Sequence, residues 1–411
     1  MSRKKLLLPS ILILALLLSG CISFGSNSTA TAPIPEDGGF YELGKNSDGD
    51  YIWSQNAYLA TVSSQKPNFK NADVLAMAKD PQDGSAIYLG TKENGMYYTY
   101  DGGKNWFTVE KFKKNRINDI AVSYKNKCLI YIAVGSELYK SEDCNRTWTR
   151  MYSEDREGYY ISALAVDSYN EGTIYAGLSI DTQNQKKAKD ASDVIKSVDF
   201  AKSWQVAART SAGSMISEIL INPKNTRIVY AATHNSGLLK TIDGGISWKD
   251  ITGAAQEFPG KNSKEEFIQR FEQLIDFATD VKSTKQIRES LIFRDMEMIP
   301  DKEDSLMHAS NYGILKSDDG GNTWKQIKLI PPKGEKKAII YSLAFNPEKG
   351  DEFYYGTDDT LFRTTDGGEN WTTIKGPGTR AVYQIIVTPN IGKEPNVCIG
   401  MYNLKPPAPK K

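Results

Sequence analysis

Between turn residues the chain alternates apolar and polar positions in short runs, the period-two pattern of β-strands. One unit reads ISALAV at residues 161–166, TIYAGL at 173–178, VIKS at 194–197 and WQVA at 204–207. Four such strands make one sheet. The second strand recurs as IYLG (87–90), IYIA (130–133), VYAA (229–232) and FYYG (353–356), with small residues where neighbouring sheets would crowd together. The period changes once. Between Thr252 and Leu291 a capping box (Ser263, Glu266) precedes an apolar stripe of Phe267, Phe271, Leu274 and Ala278, flanked by Ile268 and Ile275. This spacing predicts a helix over 263–280, inserted between sheets. Its stripe either packs on the sheets or meets a partner, which makes Phe267, Phe271 and Leu274 candidate interface residues.

The tryptophans expose a repeat. Thr99-Tyr100-Asp101-Gly102-Gly103-Lys104-Asn105-Trp106 returns with Asp243 and Trp248, with Asp319 and Trp324, and with Asp366 and Trp371. Weaker copies carry Asp143 with Trp148 and Asp199 with Trp204; both lack the Gly-Gly pair. Asp48 and Trp53 keep the same spacing, so each of the seven tryptophans lies five residues after an Asp. The chemistry of the octamer is structural. Its hydroxyl and carboxylate accept hydrogen bonds from the N–H groups of a tight turn, Gly-Gly supplies positive φ, and the Trp returns to the sheet as an apolar plug. One carboxylate on each of seven separate hairpins does not converge on a metal or catalytic site.

The octamer resembles the Asp-box, or BNR, repeat (Ser/Thr-x-Asp-x-Gly-x-x-Trp) of sialidases, sortilin-type receptors, xyloglucanases and photosystem II assembly factor propellers. The resemblance covers about residues 40–403. It implies an all-β fold, a single seven-bladed β-propeller with a helical insertion at about 255–288. Two strands after the last box (382–387 and 397–401) and the segment around the Asp48 box are each half a blade, so N- and C-terminal strands are expected to complete one blade and close the ring.

The ends add a location. Arg3-Lys4-Lys5 precedes an apolar run from Leu6 to Leu18, too short to span a bilayer stably, and the run ends in Leu18-Ser19-Gly20-Cys21. This resembles the bacterial lipobox. It implies a signal peptide over 1–20, acylation of Cys21, and an exported protein anchored by lipid on the periplasmic or cell-surface side of a bacterial membrane. Residues 21–39, rich in Ser, Thr, Ala, Pro and Gly, read as a flexible tether, and 404–411 as a solvated tail.

Lys plus Arg (51) nearly balances Asp plus Glu (50), so nothing points to nucleic acid. The Arg-Ile-Pro motif of the sialidases is absent; Arg116-Ile117-Asn118 and Arg227-Ile228-Val229 share only its first two letters, and no catalytic role is carried over. His234 and His308 near second-strand ends lack a Cys or carboxylate cluster for a metal site, and Lys186, Lys187 and Lys189 read as a solvated loop. No cofactor is expected. If Val134 faces Glu137 across a tight turn, Cys128 lies opposite Asp143, one step from Cys144, within disulfide reach; two free thiols are the alternative. Single-ring assembly factor propellers are nearest in size and in lacking a catalytic set. The resemblance therefore implies a non-enzymatic scaffold for a protein or membrane-protein complex, with a glycan-binding or sialidase-like surface protein as the alternative. An axial pocket lined with Arg, Tyr and Glu would favour the glycan. A broad, shallow axial face would favour the scaffold.

Overall fold

The alternating segments form strands that assemble into seven sheets arranged as blades around an axis, each of four antiparallel strands, with one short extra strand on blade 5. The computed structural model describes residues 36–61, 67–180, 191–212, 214–234, 237–252, 274–276, 289–330, 339–390 and 392–404. Blades 1 to 6 run in chain order over residues 74–108, 117–153, 159–212, 216–250, 293–326 and 342–375. The innermost strand of each blade packs on that of the next, and the series closes from Ala381–Thr388 back to Val74–Lys79. Blade 7 is composite: Ala381–Thr388 and Asn396–Tyr402 from one end of the ring, Gly39–Lys45 and Tyr51–Gln55 from the other. The expected closure is thus the observed one.

The core is divided among the seven gaps between blades. Each gap holds its own apolar cluster, for example Ala76, Tyr88 and Met96 of blade 1 against Ile117, Ile120 and Trp148 of blade 2. A second strand covered on both faces must be apolar throughout, which is why Ile87–Thr91, Ile130–Val134 and Val229–Thr233 are buried at every position. Their small residues set the spacing. A Cβ on Gly90 would stand 2.7 Å from Cγ2 of Ile117, and one on Gly177 would stand 2.8 Å from Cγ2 of Ile216, both on the following blade.

The insertion before blade 5 departs from the expected helix. Among its described residues Leu274 is helical, whereas Ile275–Asp276 is extended and pairs in parallel with Trp324–Lys325, a fifth strand on the outer edge of blade 5. Ile275, at 1% exposure, is buried in the cluster between blades 4 and 5, and Leu274 packs against it. An exposed sheet edge and a buried Ile side chain favour extension here over continued helix. Phe267, Phe271, Ile268 and Ala278 lie outside the described residues, as do Cys21, the tether as far as Pro35, the loop with Lys186, Lys187 and Lys189, and residues 405–411.

The register of blade 2 runs from Ile130↔Ser141 to Val134↔Glu137, and the structure joins Cys128 to Cys144 in a disulfide with Cα atoms 4.0 Å apart. Cys398, on the composite blade, is free and buried.

An ion cluster secures the closure. Arg380, 6% exposed, donates to Asp37 Oδ1 (2.8 Å), to Asp73 Oδ1 (2.6 Å) and to the carbonyl of Asn71 (3.1 Å), while the Thr379 N–H and hydroxyl donate to Asp37 Oδ2. The guanidinium therefore ties blade 7 to the segment entering it and to the start of blade 1. Removing one partner of a buried pair leaves uncompensated charge. Arg380→Ala is expected to lower stability to urea by about 3 kcal/mol; an unchanged midpoint would show that strand pairing alone closes the ring.

Candidate functional site

Six of the octamers build one turn. In blade 1, the Thr99 hydroxyl donates to Asp101 Oδ1 (2.7 Å), and the Gly103 N–H donates to that hydroxyl (3.1 Å). The Asn105 N–H and side-chain amide donate to the two Asp101 oxygens at 2.9 and 2.7 Å. The same bonds recur at Asp143, Asp199, Asp243, Asp319 and Asp366. The donors hold these carboxyls below their ordinary range. Asp199 falls to about 2, chiefly through the Ser203 hydroxyl, and Asp366 to about 2, chiefly through the Asn370 N–H. Each turn also docks on the loop after its own innermost strand, where the N–H at the first glycine position donates to a carbonyl, as from Gly102 to Ser85 (2.9 Å) and Gly244 to Arg227 (2.9 Å).

The seventh octamer is different. Asn46 caps its turn, its side chain accepting from the N–H groups of Asp48 (3.0 Å) and Asp50 (2.8 Å), and pairing resumes at once with Lys45↔Tyr51. Asp48 caps nothing there. The shorter loop places Trp53 in the strand opposite Leu43, where its indole N–H donates to the carbonyl of Lys375 (2.8 Å). Asp48 and Trp53 share the spacing of the repeat without its turn. Among the other tryptophans, Trp106, Trp148 and Trp324 are buried, and Trp204, Trp248 and Trp371 are partly so, each packed in a gap between blades.

At the opposite end from these turns, the innermost strands begin around a funnel on the ring axis of about 420 Å³. A one-residue bulge interrupts six of the seven strands at the same height, at Leu75, Asn118, Ser162, Ser217, Arg294 and Tyr383. All six bulged residues line the funnel. A bulge re-aims a side chain that regular pleating would turn into the gap between blades. The mouth carries Arg116, Arg294, Tyr160, Tyr341, Tyr383 and His234. The Arg294 guanidinium lies 5.1 Å from the centroid of Tyr341, Tyr341 lies 6.1 Å from Tyr383, and Tyr383 stacks on Tyr402 at 4.7 Å.

Deeper in the funnel, the residue after the bulge is acidic on three blades and reaches across to the next. Asp119 Oδ2 accepts from Leu164 N–H (2.6 Å), Asp295 Oδ2 accepts from Leu343 N–H (2.7 Å), and Glu218 accepts from Met296 N–H. Burial raises all three: Asp119 to about 7, against two backbone hydrogen bonds, and Asp295 and Glu218 well above their ordinary range. Glu297 is raised too, by burial and then by the neighbouring Asp295. Asp119, Glu218 and Asp295 thus each link two blades, the second oxygen of Glu218 is buried without a hydrogen-bond partner among the described residues, and all four acids line the funnel. Sequence reasoning missed them. The signal was present as a carboxylate inside otherwise apolar strands, at Asp119, Glu218, Asp295 and Glu297.

The two histidines are not brought together. His234 lines the funnel mouth, whereas His308 is buried between Phe293 and Trp324, with ring centroids 4.1 and 5.1 Å away. Burial lowers each to about 4. Among the described residues no group of three or more His, Cys, Asp or Glu side chains is arranged to hold a metal ion.

A carboxyl whose pKa is raised by folding binds more protons in the folded chain than in the unfolded one. Its favourable contribution is complete below the ordinary carboxylate range and is lost as pH climbs towards the raised value. Glu297→Gln should therefore raise the unfolding midpoint relative to wild type more at pH 8 than at pH 5, by on the order of 1–2 kcal/mol in the difference. Denaturant melts at the two pH values check this, and an equal or reversed shift would refute it.

A profile of the family described as photosynthesis system II assembly factor YCF48 matches residues 276–380, which carry the four antiparallel strands of blade 5 and all of blade 6. Xyloglucanase Xgh74A of Acetivibrio thermocellus is 21% identical over 225 residues, covering 51% of this chain and 25% of the enzyme. The chain thus spans about a quarter of that relative's length. Among solved structures, a GH74 enzyme of Niastella koreensis superposes with a TM-score of 0.52 at 16% identity, covering 74% of this chain and 45% of that one. YCF48 bound to D1 peptide superposes with a TM-score of 0.51 at 15% identity, covering 81% and 94%. At such identities the superpositions speak for the fold. Repeated turns, seven blades and composite closure together make the fold a seven-bladed β-propeller, similar to those of the YCF48 and GH74 proteins and consistent with the Asp-box (BNR) repeat.

Proposed function

We propose that this propeller is a non-enzymatic scaffold, exported and held to a bacterial membrane through Cys21, that binds a protein partner on its funnel face. The observation that carries the reading is the match of residues 276–380 to the assembly-factor family, a stretch that supplies Arg294 and Tyr341 to the funnel mouth. The neighbour solved with a D1 peptide supports a peptide-bearing partner for a ring of this kind. Tyr rings and guanidinium groups at a mouth suit such a role, because the rings bury much area at small entropic cost and the guanidinium adds directed hydrogen bonds and stacking.

A glycan is the second reading, and one observation favours it. The axis holds a confined funnel lined by Arg, Tyr and acidic residues, not a broad shallow face. Asp119 and Asp295 each spend one oxygen on a backbone N–H of the next blade, and burial raises both carboxyls.

A photo-crosslinking residue at Tyr383, in the full chain within native membranes, is expected to yield a discrete protein adduct that Arg294→Ala diminishes. The same probe at Ile246, on the opposite face, is expected to give none; equal labelling from both faces would overturn the assignment. Cys21→Ser should move the protein from the membrane to the soluble fraction, and unaltered partition and mass would exclude the anchor.

A further inference from the structure

A second site lies on the other face, independent of the funnel. Between blades 1 and 2 a cleft of about 390 Å³ opens beside the Asp-box turns, lined by Tyr98, Tyr100, Asp80, Asp83, Lys127 and Arg146. Tyr100 occupies the second position of its box and is 44% exposed. Its hydroxyl donates to the carbonyl of Cys144 (3.4 Å) and accepts from the side-chain amide of Asn145 (3.2 Å), which carries the ring across the gap between blades. Tyr98 stands 5.4 Å from Tyr100 and stacks at 5.4 Å and 25° on Phe107, itself 41% exposed. Tyr98 and Tyr100, with Tyr88 beneath, thus form one wall of the cleft, and Phe107 supports Tyr98 from outside it.

Asp80 is buried and already accepts the Gln82 N–H (2.8 Å), whereas the other charged groups around this wall are largely uncommitted. Asp83 accepts from the Ser85 N–H (3.0 Å) through one oxygen, and among the described residues neither Lys127 nor Arg146 has an ion-pair partner. Asn145, 7% exposed, leaves its Oδ1 without a hydrogen-bond partner among the described residues while its nitrogen holds Tyr100. Exposed rings, carboxylates and cations around one cleft of this size match a ligand that is apolar on its faces and rich in both donors and acceptors at its rim.

We propose that this cleft binds carbohydrate, with a pyranose ring of an oligosaccharide stacked on Tyr100, its hydroxyls donating to Asp83 and accepting from Lys127 and Arg146. Asn145 is a positioning residue for the ring. Strand addition by a peptide is disfavoured, because the outer strand beside the cleft, Phe107–Thr108, is only two residues long. The charges on both sides disfavour insertion into a bilayer.

The test titrates the folded chain with cellohexaose, chitohexaose and maltohexaose, followed by calorimetry and saturation-transfer NMR. At least one of the three is expected to bind, with affinity reduced tenfold or more by Tyr100→Ala. Arg146→Ala, which removes a side chain with no hydrogen bond or ion pair among the described residues, is expected to weaken binding severalfold and guards against misfolding of the first variant. Arg294→Ala in the funnel should bind as wild type does. Three inert hexaoses, or undiminished binding by both cleft variants, would overturn the proposal. Loss of binding in Arg294→Ala alone would also overturn it, by moving the sugar to the funnel.

Discussion

A four-stranded sheet with apolar residues on both faces cannot exist alone in water, and that constraint organises this molecule. Each blade buries one face on its predecessor and one on its successor, so no blade is satisfied until all seven are in place. The apolar clusters are accordingly found between sheets. A ring under this constraint has one vulnerable joint, where the chain ends would otherwise leave two bare faces and two free edges. Sharing a blade between both ends of the ring converts that joint into ordinary strand pairing, through Tyr41↔Ile399 and its neighbours, and Arg380 adds charge pairing at the rim.

The Asp-box turn serves the same constraint at smaller scale. It fixes the third and fourth strands of a blade and fastens them to the loop after the first, so each blade reaches its neighbours as a preformed unit. Its two central residues are left-handed whether or not they are glycine: Gly102 and Gly103 at φ 72° and 94°, Cys144 and Asn145 at 57° and 69°, Phe200 and Ala201 at 62° and 67°. A side chain in that conformation costs about 1–2 kcal/mol per residue, and both exceptions have a compensating contact. Cys144 is bonded covalently to Cys128, the residue that its N–H meets at 3.4 Å. Phe200 lays its ring on Gly172, whose carbonyl accepts the Phe200 N–H (3.0 Å).

These rules explain what could be read in advance. Strand periodicity, the recurring Asp and Trp, small residues such as Gly90 and Gly177, and the half-blades at either end are local patterns with a single structural meaning, and they carried the fold. The Asp48 octamer shows the limit of spacing alone: with Asn46 available to cap a shorter turn, the chain takes the tighter hairpin. The stretch before blade 5 shows another. A stripe at helical period across Leu274 and Ile275 also satisfies a short edge strand, and tertiary burial of Ile275 decided between them.

The candidate site was far less legible, for a reason that follows from the repeat itself. Positions that build the ring are the same in every blade and announce themselves by recurrence. Those that line its axis are the ones at which blades differ: Leu75, Asn118, Ser162, Ser217, Arg294 and Tyr383 occupy one structural position, and only the two serines repeat a residue. A search for periodicity discards such positions as noise. The bulge makes them a set, because it lifts one residue per strand out of the packing that dictates the others and frees it from the demand to be apolar. Specificity on this scaffold is therefore written where the repeat is broken, and the second residue of the box obeys the same rule, with Tyr100 in blade 1, Ile242 in blade 4 and Asp318 in blade 5.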